Sequence, residues 1–171
     1  HVKIDNLKIK ALNTSYGYGI LFTNGAANDS ITNCHIDLST ITGTSSTNVS
    51  AIAFSSSMTS PTGSGNNARN IYIGNNLIDA GHPTSTGGAY YGISIYGSSS
   101  TNYGTDSIFI INNELRNFYY YGIYAYYTGD LYIKGNNIHR STKTATTTTY
   151  GINAYYLTGE ISNNKIHSFS P

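Results

Sequence analysis

The hexapeptide Ile73-Gly74-Asn75-Asn76-Leu77-Ile78 is a clear copy of the motif that decides the fold of this 171-residue chain. The motif reads Ile-x-Asn/Gly-Asn-x-Ile/Leu, and it recurs along the whole sequence at irregular spacing. Its six copies span residues 4–9, 31–36, 73–78, 110–115, 133–138 and 161–166. Self-similarity of this kind is typical of repeat architectures, in which each copy belongs to one structural unit.

A second signal lies between successive copies of the motif. It consists of Gly-Ile, any residue and an apolar residue, at 19–22, 92–95, 122–125 and 151–154, with a variant at 51–54. Apolar residues alternate in both signals, and Gly, Asn and Ser separate them, which predicts short strands joined by turns. We therefore predict an all-β chain that forms one domain over residues 1–171, a right-handed parallel β-helix (solenoid) of about six coils.

The fourth position of the motif is asparagine in the last four copies. These residues are Asn76, Asn113, Asn136 and Asn164. Because asparagine tolerates left-handed backbone and can hydrogen-bond within a turn, we expect them to stack as an asparagine ladder. Leu7 and Cys34 hold the same position in the first two copies, where we expect apolar packing. Cys34 is the only cysteine, so we predict a buried small hydrophobic residue without a disulfide.

The two motifs together resemble the repeats of the pectin-lyase-like superfamily of parallel β-helix proteins, and the resemblance covers nearly the whole chain. It implies the fold but no single activity, because that superfamily contains lyases, glycoside hydrolases, epimerases and non-catalytic stalks and adhesins. The sequence shows no amphipathic capping helix at either end, although solenoids need polar caps for solubility. We therefore expect the chain to be an excerpt of a longer solenoid.

The composition restricts the classes of partner. Charged residues make up only 10% of the chain and the net charge is +1, which gives no electrostatic basis for nucleic-acid binding. No apolar run approaches the ~20 residues of a membrane helix, so we expect no membrane insertion. The polarity comes from Ser, Thr, Asn, Gly and 17 tyrosines, which favours a secreted or cell-surface, extracellular protein.

Tyrosine recurs in register with the Gly-Ile signal. The residue before the glycine is Tyr18, Tyr91, Tyr121 or Tyr150. Strict alternation would put these residues on the side of the buried isoleucine, so we expect them to pack at a corner of the core with a solvated hydroxyl. A second column should face outward, and we predict that it contacts saccharides; it consists of Tyr96, Tyr126 and Tyr155, with Tyr124 beside it. The alternative is aromatic stacking that only shields the sheet.

Outward positions around the motif also form an ionisable patch of Asp37, Asp79, Glu114, Arg116 and His139. Three carboxylates from adjacent coils could raise one another's pKa or bind calcium. With Arg116 or His139 as the base, this would be the arrangement of a polysaccharide lyase or glycoside hydrolase acting on acidic polysaccharide. The alternative is that Asp79 and Arg116 form an exposed cross-strand ion pair and that the histidines are solvated.

Because acidic residues are few, we favour the second interpretation and predict no catalytic residue, no metal and no cofactor. The sequence then indicates a non-catalytic, structural or adhesive module whose partners are polysaccharide or neighbouring domains of the same chain.

Overall fold

The computed structural model describes residues 1–99, 104–143 and 148–169, and these residues form β-strands and the turns that join them. The strands are β1 (Lys3–Asp5), β2 (Lys8–Lys10), β3 (Gly17–Phe22), β4 (Ala26–Ala27), β5 (Ser30–Thr32), β6 (His35–Asp37), β7 (Val49–Phe54), β8 (Ala68–Gly74), β9 (Leu77–Asp79), β10 (Tyr91–Tyr96), β11 (Thr105–Ile111), β12 (Glu114–Arg116), β13 (Tyr121–Lys134), β14 (Asn137–His139), β15 (Tyr150–Ser162) and β16 (Lys165–His167). The chain is thus all-β over the residues that the structure describes.

The strands pair in parallel and form three rows. The first row contains β3, β7, β10 and the first parts of β13 and β15. The second row contains β1, β5, β8, β11 and the second parts of β13 and β15. The third row is a separate six-stranded sheet of three-residue strands in the order β16-β14-β12-β9-β6-β2. Because β13 and β15 pass through two rows, they join the first and second rows into one sheet.

The repeat motif sets the register of the second row. The isoleucine that opens each copy pairs with the isoleucine that opens the copies before and after it, along the series Ile4, Ile31, Ile73, Ile110, Ile133 and Ile161. Consecutive copies are therefore spatial neighbours, although up to 42 residues separate them in the sequence. The loops between the copies absorb the differences in length.

The core lies between the rows, and each row contributes fully buried side chains to one cluster. Ile52 and Phe54 come from the first row, Ile73 from the second and Ile78 from the third, and all four are 0% exposed. Branched aliphatic side chains suit strands that are buried on one face, because they pack well on a pleated surface. Side chains on the outer faces of the rows are not needed for this core and are available for contacts at the surface.

The asparagines at the fourth position of the motif bond to one another from repeat to repeat. Asn76, Asn113 and Asn136 are buried, and each accepts or donates side-chain hydrogen bonds of 2.9 to 3.0 Å along the series that ends at Asn164. Each side-chain oxygen also accepts the backbone N–H of the preceding member, which extends the series to the N–H of Cys34 at 2.8 Å. These side chains thus satisfy turn amides that lie inside the protein.

Two details of this region differ from the sequence-based expectations. The left-handed backbone lies at the third position of the motif, which holds Asn6, Asn33, Asn75, Asn112, Gly135 and Asn163. That residue makes the turn, and the fourth residue directs its side chain inward. Cys34 is buried as predicted, whereas Leu7 is 51% exposed because no earlier repeat covers it among the described residues.

Candidate functional site: a tyrosine surface beside a polar loop

Tyrosine rings from three repeats form one network of contacts on the first row, which we call the tyrosine surface. Its members are Tyr90, Tyr91, Tyr96, Tyr119, Tyr120, Tyr121, Tyr124, Tyr126, Tyr127, Tyr150, Tyr155 and Tyr156. Pairs of rings in this network lie 4.4 to 6.5 Å apart between centroids. Such distances are typical of favourable aromatic pairs. The surface therefore combines a rigid scaffold with closely spaced rings.

The structure brings the four predicted saccharide-contacting residues together. Tyr96, Tyr126 and Tyr155 are partners in register on adjacent strands. The ring of Tyr96 lies 4.9 Å from that of Tyr126, and Tyr124 lies 6.2 Å from Tyr96 and 6.3 Å from Tyr155. Tyr155 is 48% exposed, and the other three are half-buried. Their contact with a saccharide remains a prediction.

Three of the tyrosines that precede the glycines, Tyr91, Tyr121 and Tyr150, belong to the tyrosine surface, contrary to our expectation, although Tyr91 is only 7% exposed. Tyr121 lies 4.9 Å from the outward Tyr124 and stacks on Tyr91 at 5.5 Å with an interplanar angle of 8°. Tyr150 continues this stack at 5.3 Å from Tyr121. These three residues therefore enlarge the tyrosine surface. Tyr18 lies outside the network, and its hydroxyl donates to the carbonyl of Thr47 at 3.4 Å.

The inward orientation of the glycine explains this difference. A Cβ atom on Gly122 would lie 2.9 Å from Cγ2 of Ile138 and 2.5 Å from the carbonyl oxygen of Gly151. The glycine thus faces the core, and Tyr121 points to the opposite side. Ile123, the next residue, is also buried at 1% exposed. Strict alternation therefore fails at this glycine, and counting through it assigns Tyr121 to the wrong face.

A loop at residues 55–67 borders the tyrosine surface along β10. The hydroxyl of Ser94, the residue in register with Tyr124, is fully buried and donates to the carbonyl of Pro61 in this loop. Asn67 holds the end of the loop in place, since its side-chain amide donates to the carbonyls of Phe54, Gly63 and Tyr96. The loop consists of small and polar residues apart from Met58 and Pro61. It therefore forms a polar border along β10, the first strand of the tyrosine surface.

The strand segments of the first row that carry the tyrosine surface contain no formal charge. The segments 91–96, 121–126 and 150–155 contain no Asp, Glu, Lys, Arg or His. Burial, with a smaller contribution from neighbouring tyrosines, raises the pKa of Tyr121 and of Tyr124 to about 12. The same causes raise the pKa of Tyr91 and of Tyr96. These hydroxyls are therefore protonated at physiological pH and can both donate and accept hydrogen bonds.

The ionisable patch is assembled, but Asp79 is engaged by partners on both oxygens. Its Oδ2 lies 2.9 Å from Nη2 of Arg116 and 3.1 Å from Nε, and its Oδ1 accepts the side-chain amide of Asn117 at 2.9 Å. The pair was expected to be exposed. Instead, the side chain of Asp79 is 9% exposed, and that of Arg116 is 34% exposed. The pair therefore has a structural role between adjacent repeats.

Asp37 and Glu114 are also bound to other side chains. Burial acts to raise the pKa of Asp37, but hydrogen bonds from Ser39 and the Lys8 ammonium outweigh it and lower the pKa to about 2. Oε1 of Glu114 lies 3.2 Å from Nε2 of His139 and 3.5 Å from Nη1 of Arg116. Within residues 1–99, 104–143 and 148–169, no group of three or more His, Cys, Asp or Glu residues is arranged to hold a metal ion.

The expectation of solvated histidines is wrong for His139. Its ring is stacked on that of His167 at 5.2 Å, its Nε2 contacts Glu114, and its side chain is only 12% exposed. The packing of the third row, in which β14 pairs with β12 and β16, brings these side chains together. His139 is thus part of a side-chain network that links adjacent repeats.

Two buried cations were not found from the sequence. Arg140 is 1% exposed and Lys143 is 5% exposed, and the Lys143 ammonium donates to the carbonyls of Ser85 and Gly87. Burial, followed by the nearby charge of Arg140, lowers the pKa of Lys143 to about 8. Nothing in the local sequence distinguishes these residues from surface cations, because Lys and Arg are almost never fully buried.

The structure contains, over its described residues, no helix long and apolar enough to cross a membrane. Comparison of the chain with protein-family models, with curated proteins and with solved structures finds no match.

Proposed function

We propose that this chain is a right-handed parallel β-helix of the pectin-lyase-like type, and that it serves as a non-catalytic module of a secreted or cell-surface protein that holds a glycan on its tyrosine surface. Three rows of parallel strands and motif copies that pair with one another support the solenoid. The side-chain bonds from Asn76 to Asn164 support its asparagine ladder. The usual handedness of parallel crossovers supports the right-handed turn.

The observation that carries the function is the tyrosine surface itself. Tyr96, Tyr126 and Tyr155 lie in register on neighbouring strands, and Tyr124 lies beside them. An aromatic ring offers an apolar face to the C–H groups of a sugar, and its hydroxyl offers a hydrogen-bonding tip. The loop of residues 55–67, which borders β10, consists mostly of Ser, Thr, Gly and Asn. A polysaccharide is the partner that uses both kinds of group.

The ionisable patch supports a structural role better than a lyase or hydrolase mechanism. A general base must reach the proton that it removes, and Asp79 is only 6% exposed and already accepts three hydrogen bonds from Arg116 and Asn117. Asp37 has a pKa of about 2, which suits an ion-pair partner and not a proton donor near neutral pH. We therefore place the polysaccharide on the tyrosine surface and not at the carboxylates.

Tyrosine fluorescence tests this proposal directly, because the chain contains no tryptophan that would mask it. Titration with a panel of neutral and acidic oligosaccharides should change the emission of the wild-type protein. Tyr126→Ala should weaken binding by about ten-fold or more, because a central aromatic anchor often contributes more than 1 kcal/mol. Its circular dichroism should be unchanged.

Tyr16→Ala is the matched control, because Tyr16 is 61% exposed and lies outside the tyrosine surface. This variant should bind like the wild type. If no saccharide in the panel alters the fluorescence, or if Tyr126→Ala binds as tightly as Tyr16→Ala, the proposed function is wrong.

A further inference from the structure

We infer that Tyr126, Tyr127 and Tyr156 form an aromatic corner that binds one sugar ring of an uncharged saccharide. The inference rests on the proposed function and extends it, because it assigns two further binding residues and a class of ligand. Tyr127 and Tyr156 lie one position beyond the predicted column of Tyr96, Tyr126 and Tyr155.

The backbone at the corner is the first argument. Tyr127 has a φ of 48° and Tyr156 a φ of 51°, in the left-handed region that bulky residues rarely adopt. Glycine is the residue that suits such a backbone conformation. Two successive repeats thus place a large ring where glycine would be less strained. Strain of this kind is concentrated at functional sites.

The arrangement of the rings is the second argument. Tyr127 and Tyr156 stack with centroids 4.6 Å apart and an interplanar angle of 8°. The ring of Tyr126 stands nearly perpendicular to both, at 71° to Tyr127 and 76° to Tyr156. The three rings therefore form two walls that meet almost at a right angle. Tyr156 is 61% exposed, so the corner is open to solvent.

The electrostatics define the class of ligand. The faces of aromatic rings carry the negative part of the ring quadrupole, which disfavours an anion. The first charged side chains that follow the corner in β13 and β15 are Asp130 and Glu160, and both are acidic. The carboxylate of Glu160 lies 2.6 Å from the ammonium of Lys134, so this cation is already paired. A uronic acid would find no free cation among these residues, whereas an uncharged sugar needs none.

The test uses two variants that keep the left-handed backbone favourable. Tyr127→Gly and Tyr156→Asn each remove a ring, and both glycine and asparagine tolerate positive φ. The ligands are cello- and xylo-oligosaccharides, together with an oligogalacturonide as the free acid and as its methyl ester. Calorimetry gives the Kd for each ligand, and thermal unfolding reports whether each variant folds. Tyr16→Gly is the matched control.

The wild type should bind at least one of the uncharged oligosaccharides. If it accepts the galacturonide backbone, it should bind the methyl-esterified oligogalacturonide at least about ten-fold more tightly than the free-acid form. Each corner variant should lose about ten-fold in affinity, which corresponds to the effect of a binding hot spot, while its melting temperature stays close to that of Tyr16→Gly. Equal affinity of wild type and both corner variants would overturn the corner but leave the proposed function, provided that Tyr126→Ala weakens binding. Tighter binding of the free acid would overturn the ligand class, and the absence of any saccharide binding would overturn both proposals.

Discussion

Replacing Asn113 with leucine should destabilise the fold strongly, because this buried side chain takes part in four hydrogen bonds. Its oxygen accepts the backbone N–H and the side-chain amide of Asn76 at 3.0 and 2.9 Å, and its amide donates to Ile73 and Asn136 at 3.0 Å each. Leucine leaves the N–H of Asn76 without this acceptor, which costs about 1 to 3 kcal/mol, and removes two donated bonds worth about 1 kcal/mol each. The added apolar burial returns about 1 kcal/mol.

The net loss in the free energy of unfolding is therefore about 3 kcal/mol, from the sum of these contributions. For a chain of this length, the melting temperature should fall by about 6 to 12 °C. Urea unfolding followed by circular dichroism measures the loss, with Asn66→Leu as the control because the side chain of Asn66 is exposed. If Asn113→Leu cost no more than Asn66→Leu, the buried bonds between the asparagines would not stabilise the protein, and our reasoning would be refuted.

Two further predictions concern stability. Gly122→Ala should lower the free energy of unfolding by about 1 to 3 kcal/mol, because the new Cβ overpacks against Ile138. Gly17→Ala should cost less, because its new Cβ would lie no closer than 3.6 Å to another residue. Equal urea midpoints for the two variants would contradict this prediction. Between pH 8 and 10 the unfolded chain retains the Lys143 proton that the folded chain loses, so the free energy of unfolding should rise by about 2 kcal/mol. Lys143→Met should abolish this rise, and a rise that persisted in the variant would exclude Lys143 as its cause. Above pH 10 the free energy of unfolding should fall again, because the raised pKa of Tyr121 and Tyr124 leaves more protons on the folded chain than on the unfolded chain.

The pairing of the repeats could be predicted because its signal is periodic. Each motif opens with an isoleucine, and those isoleucines are the strand partners in the structure. The grouping of Tyr96, Tyr126 and Tyr155 follows from the same register, since they occupy one position after successive Gly-Ile signals. Equivalent residues of parallel strands become neighbours whenever the register is constant.

The remaining features could not be predicted, because each depends on contacts that leave no periodic pattern. Gly122 interrupts the alternation that assigns residues to faces, and its orientation follows from the position of Ile138 in another strand. The loop at 55–67 covers Ser94 through bonds between residues 33 positions apart. Arg140 lies in the interior although its type favours the surface. Sequence patterns report local geometry, and these features are tertiary.

The position of Cys34 makes its thiol a probe for the separation of the first two repeats. Cys34 is the only thiol in the chain, and its sulfur lies 3.1 Å from the carbonyl of Thr32 and 3.8 Å from that of Ile4, between the first two repeats. A thiol reagent can reach it only when these repeats separate, so the rate of labelling measures how often this end of the molecule opens. Labelling in increasing urea would then show whether the first repeats detach before the rest unfolds, or whether the whole stack is lost in a single step.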